Sequence, residues 1–65
     1  MNVKLGDYVM LKYPDGRNRG IGRVTRILST FNIAEIEYEG KLLLKAPHNF
    51  TLMTMEDVVA FILEN

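Results

Sequence analysis

The sequence predicts a single mainly-β domain in which five short strands curl into a small barrel and a short helix follows at the C-terminal end. Apolar and polar residues alternate in several short segments, and turn-forming residues separate those segments. Helical spacing of apolar residues occurs only in the C-terminal segment. We place the barrel in about residues 3–53 and the helix in about residues 54–64 of one domain that covers residues 1–65.

Length and composition limit what such a domain can be. A chain of 65 residues forms one domain, and it buries about 60% of the surface that is exposed when it is unfolded. It contains no cysteine and one histidine, so neither a disulfide nor a four-ligand zinc site is expected. With 48% hydrophobic and 25% charged residues it resembles ordinary globular proteins. We expect it to fold without a metal or a cofactor.

The sequence also bears on location. The N-terminal residues lack the long apolar stretch of a signal peptide, and no segment reaches the length of a transmembrane helix. We therefore expect a cytoplasmic protein without a membrane partner.

The first strand and the loop after it are predicted from local composition. Tyr8–Tyr13 is rich in aromatic and apolar residues, and Val9 and Leu11 share one face by the two-residue period. Met10 points to the opposite face. The segment Pro14–Gly20 is dense in turn-forming residues and is predicted to be a surface loop.

Strands two and three form the central hairpin of the prediction. In Ile21–Leu28 the apolar pattern changes phase after Val24, which predicts a bulge near Thr25 and Arg26. The alternation from Phe31 to Glu39 is the clearest in the chain. A hairpin centred on Thr30 aligns apolar with apolar residues and opposite charges with each other, as follows: Val24 with Ile36, Gly22 with Tyr38, and Arg23 with Glu37.

Two further short strands and a helix complete the prediction. The strands are predicted at Leu42–Lys45 and at Phe50–Met53. Thr54 is a good N-cap residue and is followed by acidic residues in the first helical turn. The helix carries an apolar stripe with spacing i, i+3, i+4 and i+7, which consists of Met55, Val58, Val59 and Ile62 and is widened by Phe61 and Leu63.

Three segments resemble a known family of small barrels. They are Gly6-Asp7-Tyr8-Val9, Arg19-Gly20-Ile21-Gly22-Arg23-Val24-Thr25-Arg26-Ile27 and Ala34-Glu35-Ile36-Glu37-Tyr38. Together they resemble a KOW or Tudor-like domain over about residues 5–40. The resemblance implies a five-stranded SH3-like barrel, in a group whose members bind RNA, ribosomal or transcription components, methylated peptides or other proteins. The C-terminal helix is not part of this motif.

The helix predicts a protein-binding function. It has more apolar surface than one docking face normally uses. The excess is covered either by the open end of the barrel or by a partner, which is another protein or a second copy that forms a homodimer through the helix. In the second case the chain is an adaptor or an inhibitor-like regulator. The residues predicted to bind protein are Tyr8, Tyr13, Met55, Val59, Ile62 and Leu63.

Nucleic-acid binding is the alternative. Residues 1–34 carry a net charge of +4 and the remainder carries −4, so the basic residues concentrate in the first half. Contacts to an RNA or DNA backbone are then predicted for Lys12, Arg17, Arg19, Arg23 and Arg26, with Tyr8 or Tyr13 stacking on a base. A net charge of zero and a pI near 6.5 argue against a dedicated nucleic-acid binder. The arginines could instead pair with Glu35 and its neighbours.

Catalysis is not predicted. Glu35, Glu37 and Glu39 alternate as residues on an exposed strand face normally do. Ser29 and His48 lack the surrounding motif that would activate a nucleophile. We therefore expect a binding module with no small-molecule substrate rather than an enzyme.

Overall fold

The computed structural model describes residues 1–64 and contains five strands and one α-helix. Their bounds are β1 Tyr8–Lys12, β2 Asn18–Leu28, β3 Ile33–Tyr38, β4 Lys41–Lys45, β5 Phe50–Leu52 and α1 Met55–Glu64. Single turns of 3-10 helix occur at Ser29–Phe31 and Pro47–Asn49. The predicted mainly-β class, with five strands and a C-terminal helix, is confirmed.

All five strands belong to one antiparallel sheet in the order β4-β3-β2-β1-β5. The sheet is not closed into a barrel, because β4 and β5 are its two edges within the described chain. Between these strands Pro47–Asn49 forms a helical turn, in which the Asn49 amide donates to the Ala46 carbonyl at 3.0 Å. Because β4 and β5 do not pair in the described chain, the predicted barrel is an open sheet instead.

Strand β2 carries the bend. Beyond Val24, which pairs with Ile36, the register shifts at Thr25, as the phase change predicts. A second shift lies near its start, where Lys12 pairs with Asn18 and leaves Arg19 as the extra residue. This second bulge extends β2 back to Asn18, so the strand begins three residues before the predicted Ile21.

The hairpin between β2 and β3 differs from the prediction at its tip. Phe31, predicted to start strand three, lies in a 3-10 turn and is 70% exposed. Asn32 then adopts a left-handed conformation with φ of 52°, and its amide donates to the Ser29 carbonyl at 3.1 Å. Asparagine tolerates this conformation better than most residues. The third strand therefore begins at Ile33.

The main core lies on the concave face of the sheet. Its central side chains are Val9, Leu11, Val24, Ala34 and Ile36, all at most 2% exposed. Gly22 allows β2 and β3 to pack closely there, because a Cβ at this position would collide with the Ile36 Cγ2 and lie 3.1 Å from the Glu37 carbonyl oxygen. The sheet can bend tightly over a small core only with glycine at this point.

The opposite face of β1 is covered by α1. Met10 projects away from Val9 and Leu11 and yet is only 6% exposed. It lines a shallow cleft together with Ala60 and Phe61 of the helix. The helix therefore packs on the convex side of the sheet and shields Met10 from solvent.

A capping box starts the helix. The Thr54 backbone amide donates to the Asp57 carboxylate at 3.1 Å, and the Asp57 amide donates to the Thr54 hydroxyl oxygen at 3.1 Å. This pair satisfies two of the backbone donors that a helix N-terminus leaves without partners. The predicted N-cap at Thr54 is confirmed.

Replacing Gly22 with alanine tests the close packing of β2 against β3. We expect Gly22→Ala to lower the free energy of unfolding by about 1–3 kcal/mol, measured by urea denaturation, because the new methyl overpacks the core. Combining it with Ile36→Leu, which removes the colliding Cγ2, should cost less than the sum of the two single changes. A neutral or stabilising Gly22→Ala would contradict this account.

Candidate binding surface

The helix is held to the sheet by a small part of its apolar surface. Of the ten residues of α1, only Val58 is buried. Four other apolar residues, which we call the apolar helix face, remain largely open: Met55 is 64% exposed, Val59 49%, Ile62 63% and Leu63 80%. Their spacing places them on one side of the helix, next to the side that carries Val58. The chain itself thus leaves most of the helix's apolar stripe uncovered.

Part of the apolar helix face forms one wall of a cleft between α1 and the sheet. This helix cleft has a volume of about 670 Å³. Its helix side consists mainly of Met55, Val59 and Ile62, with Val58 and Phe61 also contributing. Its sheet side is formed by Tyr8, Arg19, Gly20, Ile21, Tyr38 and Glu39. The cleft is therefore mainly apolar, with one cation and one carboxylate on the sheet side.

Tyr38 forms part of the sheet wall of the helix cleft. Its ring lies over Gly20, where a Cβ would be only 2.7 Å from ring atoms, so glycine is needed for the ring to occupy this place. The phenol donates to the Arg19 carbonyl at 3.2 Å. Desolvation and the negative charge of Glu39 raise the pKa of this phenol, while Arg19 acts in the opposite direction. Tyr38 therefore stays neutral and keeps donating at ordinary pH.

Arginine and tyrosine side chains stack beside the cleft. The Arg19 guanidinium lies 5.0 Å from the Tyr38 ring centroid and 5.9 Å from that of Tyr13. The Arg17 guanidinium lies 5.2 Å from the Tyr13 centroid on the same stack. These are cation–π distances, and such contacts hold the arginines in place. Tyr13 is thereby linked to the helix cleft through Arg19, although it does not line the cleft itself.

A second contact of this kind supports Tyr8. The Arg23 guanidinium lies 5.3 Å from the Tyr8 ring centroid and donates through Nε to the Gly6 carbonyl at 3.2 Å. Arg23 also faces Glu37 across the β2–β3 pairing, as predicted. Tyr8 consequently lines the helix cleft and is also in contact with the Arg23 guanidinium.

The predicted nucleic-acid-binding residues are distributed over the end of β1, the turn after it and β2, and each has a partner in the chain. Arg17 forms an ion pair with Asp15 at 2.6 Å, and the Lys12 ammonium donates to the Asn18 side chain at 2.6 Å. At the far end of β2, Arg26 lies 3.3 Å from the Glu35 carboxylate. With Arg19 and Arg23 engaged by tyrosines, intramolecular contacts involve all five predicted basic residues.

The predicted protein-binding residues come together more closely. Tyr8, Met55, Val59 and Ile62 all line the helix cleft, and Leu63 continues the apolar surface on the outer side of the helix. Sequence reasoning did not assign Ile21 or Tyr38 to this site. Ile21 pairs with Met10 across the sheet, so the strand alternation of β1 places it on the convex face. The alternation of Ile21 with Gly22 and Val24 is the sequence signal that could have placed it there.

The glutamate row on β3 is occupied by contacts within the sheet. The Glu35 carboxylate accepts a hydrogen bond from the Thr25 hydroxyl at 3.0 Å, in addition to its ion pair with Arg26. Within residues 1–64, no three histidine, cysteine, aspartate or glutamate side chains are grouped so that they could hold a metal ion.

Of the exposed apolar side chains outside the helix cleft, two belong to the same strand. Leu42 is 61% exposed and Leu44 57%, and both belong to the edge strand β4. They face the same side of the sheet as the glutamates of β3 with which they pair. We call them the β4 leucine pair and use them below as a control surface of similar exposure.

The comparisons with known proteins found no match. No protein-family model matches it, and searches of curated proteins and of solved structures returned no significant match. In the part of the chain that the structure describes, no helix has the length and apolar character needed to cross a membrane. The resemblance to KOW and Tudor-like domains stays a prediction from the sequence.

Removal of the helix cap tests how α1 is held in place. We expect Thr54→Ala to destabilise the protein by about 0.5–2 kcal/mol. Because α1 docks mainly through Val58, the loss should appear first as reduced helical circular dichroism on warming, before the sheet unfolds. Thr54→Ser keeps the hydroxyl acceptor and should behave like the wild type. Equal behaviour of the alanine and serine variants would contradict the role of the cap.

Proposed function

We propose that this protein is a small non-enzymatic binding module that acts through protein–protein interaction, with the apolar helix face and the helix cleft as its binding surface. One observation carries the proposal. The helix buries Val58 fully and Phe61 in part, while four large apolar residues beside them remain between 49% and 80% exposed. Contiguous exposed apolar surface of this kind is typical of interaction sites. This surface fits an adaptor or a regulator that acts by binding another protein.

The size of the surface fits a reversible interaction. Fully burying an exposed aliphatic side chain contributes about 1.5–3 kcal/mol, and association costs about 4–15 kcal/mol in lost freedom and ordering. Burial of four such side chains on α1, with Tyr8 and Ile21 across the cleft, contributes a free energy of the same order as this cost, which fits a reversible complex.

The helix itself would gain from a partner. A helix of ten residues is marginally stable alone, and this one has one buried side chain, Val58, and one half-buried side chain, Phe61, to hold it. A partner seated in the helix cleft would contact α1 and the sheet at once, through Met55 and Val59 on one side and Tyr8 on the other. Binding would then stabilise the position of the helix as well as cover its apolar face.

Nucleic-acid binding is the second candidate, supported by the stack of Arg17, Tyr13 and Arg19. Arginine and tyrosine on one surface can contact phosphates and stack on unpaired bases. The ion pairs of Arg17 with Asp15 and of Arg26 with Glu35 weigh against it, since a phosphate would have to compete with these carboxylates. The cytoplasmic location stays an expectation under either candidate.

Selection of peptides from a random display library tests the protein-binding proposal. We expect peptides selected on the wild type to lose binding at least tenfold to Val59→Ser/Ile62→Ser, because the variant removes apolar contacts from the helix cleft. The matched control, Leu42→Ser/Leu44→Ser, removes a similar exposed apolar area from the β4 leucine pair and should leave the affinity unchanged. Selected peptides that bind the two variants equally well would contradict the proposal.

Fluorescence anisotropy tests the second candidate. Labelled single-stranded RNA and duplex DNA are titrated with the protein at about 50 and 200 mM salt. Binding through these arginines would weaken steeply with salt and would be lost in Arg17→Ala/Arg19→Ala/Arg23→Ala. We expect no such binding, because the three side chains already contact other residues of the chain. Micromolar binding with both properties would place nucleic acid before protein as the partner.

A further inference from the structure

Two arginines beside the helix cleft have no carboxylate partner. Among the arginines of residues 1–64, ion pairs are formed by Arg17 and Arg26. Arg19 lines the cleft and Arg23 contacts Tyr8 on the cleft wall, and neither forms an ion pair in this part of the chain. Both side chains are exposed. The sheet side of the cleft therefore presents two guanidinium groups that no ion pair neutralises.

Stacking on tyrosine fixes these two guanidinium groups and leaves most of their N–H donors available. The Arg19 group lies 5.0 Å from the Tyr38 ring centroid, and the Arg23 group lies 5.3 Å from the Tyr8 ring centroid. Arg23 donates from Nε to the Gly6 carbonyl, whereas the Arg19 guanidinium donates no hydrogen bond within residues 1–64. A guanidinium has five N–H donors in a planar fork that matches a carboxylate. A carboxylate that approaches the cleft therefore finds donors already held in position.

Strand β2 places an apolar side chain between the two arginines. Ile21 lines the helix cleft, and Arg23 shares its side of the strand by the two-residue period. Arg19 reaches the same cleft from the bulge near the start of β2. From Arg19 to Arg23 the strand extends over about 13 Å. The sheet wall thus follows the order cation, apolar residue, cation.

The carboxylates of α1 do not line the helix cleft. Asp57 and Glu64 line the shallow cleft on the opposite side of the helix. Glu56 lies on the outer surface of the helix. The helix thus contributes mainly apolar side chains to the helix cleft, and the sheet wall determines which charges an occupant meets.

One carboxylate does lie on the sheet wall. Among the acidic residues of the described chain, Glu39 alone lines the helix cleft, and it forms no ion pair with Arg19. Its charge acts on the Tyr38 phenol. Glu37 faces Arg23 in the strand pairing, but it does not line the cleft. An anionic occupant therefore meets two unpaired guanidinium groups and one carboxylate on this wall, and a cationic occupant would meet the reverse of that balance.

A nucleic-acid backbone fits the two arginines less well than a peptide does. The cleft beside them is mainly apolar, and a chain of phosphates has no apolar group to fill it. Of the other predicted basic residues, Arg17 and Arg26 already have carboxylate partners. Because stacking holds Arg19 and Arg23 beside the cleft, their donors serve an occupant of the cleft.

We infer that the partner is an acidic segment of another protein, in which an apolar side chain that enters the helix cleft is flanked by aspartate or glutamate residues that pair with Arg19 and Arg23. The inference rests on the proposed function and specifies the partner of that same site. The apolar side chain supplies affinity through burial. The carboxylates supply charge-assisted hydrogen bonds and selectivity against neutral or basic apolar segments.

The composition of selected peptides tests this inference. Peptides are selected on the wild type from a random display library, and those that lose binding to Val59→Ser/Ile62→Ser are sequenced as binders of the cleft. We expect aspartate and glutamate to be about twice as frequent in them as in the unselected library, next to at least one large apolar residue. An acidic content no higher than that of the library overturns the inference and leaves the binding surface intact. If no selected peptide depends on Val59 and Ile62, the inference and the proposed function are both overturned.

Charge variants assign the acidic preference to the two arginines. The most enriched peptide is synthesised, labelled and titrated by fluorescence anisotropy at about 50 and 200 mM salt. We expect Arg19→Gln/Arg23→Gln to weaken binding about tenfold at the lower salt and by a smaller factor at the higher salt, because salt screens the lost charge pairs. The control, Arg26→Gln/Lys45→Gln, removes two positive charges outside the helix cleft and should keep the affinity. An unchanged affinity in the first variant, or a loss that is equal at both salts, would overturn the inference.

A variant of opposite sign provides a second check. Glu39→Gln removes the one carboxylate that the described chain contributes to the cleft wall and keeps a side chain that can hydrogen-bond to Tyr38. We expect it to strengthen binding of the same peptide about twofold at the lower salt. Weaker binding in this variant would contradict an acidic occupant.

Two further measurements cover other occupants of the cleft. Sedimentation at micromolar concentration covers a second copy, since a wild-type dimer that becomes monomeric in Val59→Ser/Ile62→Ser would overturn the inference in favour of self-association. Titration with RNA and DNA covers nucleic acid. Binding of either one that is lost in Arg19→Gln/Arg23→Gln and kept in Val59→Ser/Ile62→Ser would overturn the inference in favour of a phosphate backbone.

Discussion

The close approach of β2 and β3 is the constraint on which the rest of the structure depends. Gly20 and Gly22 leave space on β2 for the Tyr38 ring and for Ile36, and neither neighbour could keep its place beside a larger residue. At Gly22 the consequence is a tightly bent sheet over a small core. At Gly20 the consequence concerns the helix cleft, because the Tyr38 ring that lies over this glycine forms part of the cleft wall. The same strand thus organises both the core and the candidate binding surface.

The small core explains why the helix matters. Few side chains can be buried on the concave face of so short a chain, and the helix adds a second layer on the convex face, where Ala60 and Phe61 lie beside Met10. This docking buries one edge of the apolar stripe and leaves the other edge exposed. A helix that only stabilised the sheet would carry polar residues at Val59 and Ile62. The uncovered apolar residues are therefore the feature that most strongly indicates binding.

Local patterns in the sequence predicted much of the fold and part of the site. Alternation identified the strands, the phase change after Val24 located the bulge at Thr25, and the N-cap of Thr54 located the start of the helix. The bulge at Arg19 and the open edge between β4 and β5 depend on how distant segments pair, which no local pattern encodes. The residues of the apolar helix face follow a local pattern and were predicted individually. The participation of Tyr38 in the cleft depends on the pairing of distant segments and was not predicted.

The measurement that tests the central claim most directly is solvent paramagnetic relaxation enhancement of side-chain methyl groups in the free, dilute protein. The account predicts strong enhancement at Met55, Val59, Ile62 and Leu63, with Val58 protected as the anchor of the helix. Protection of all of these methyl groups together with Val58, in a protein that is monomeric under the same conditions, would contradict it. The chain would then cover its own apolar helix face, and no binding surface would remain there.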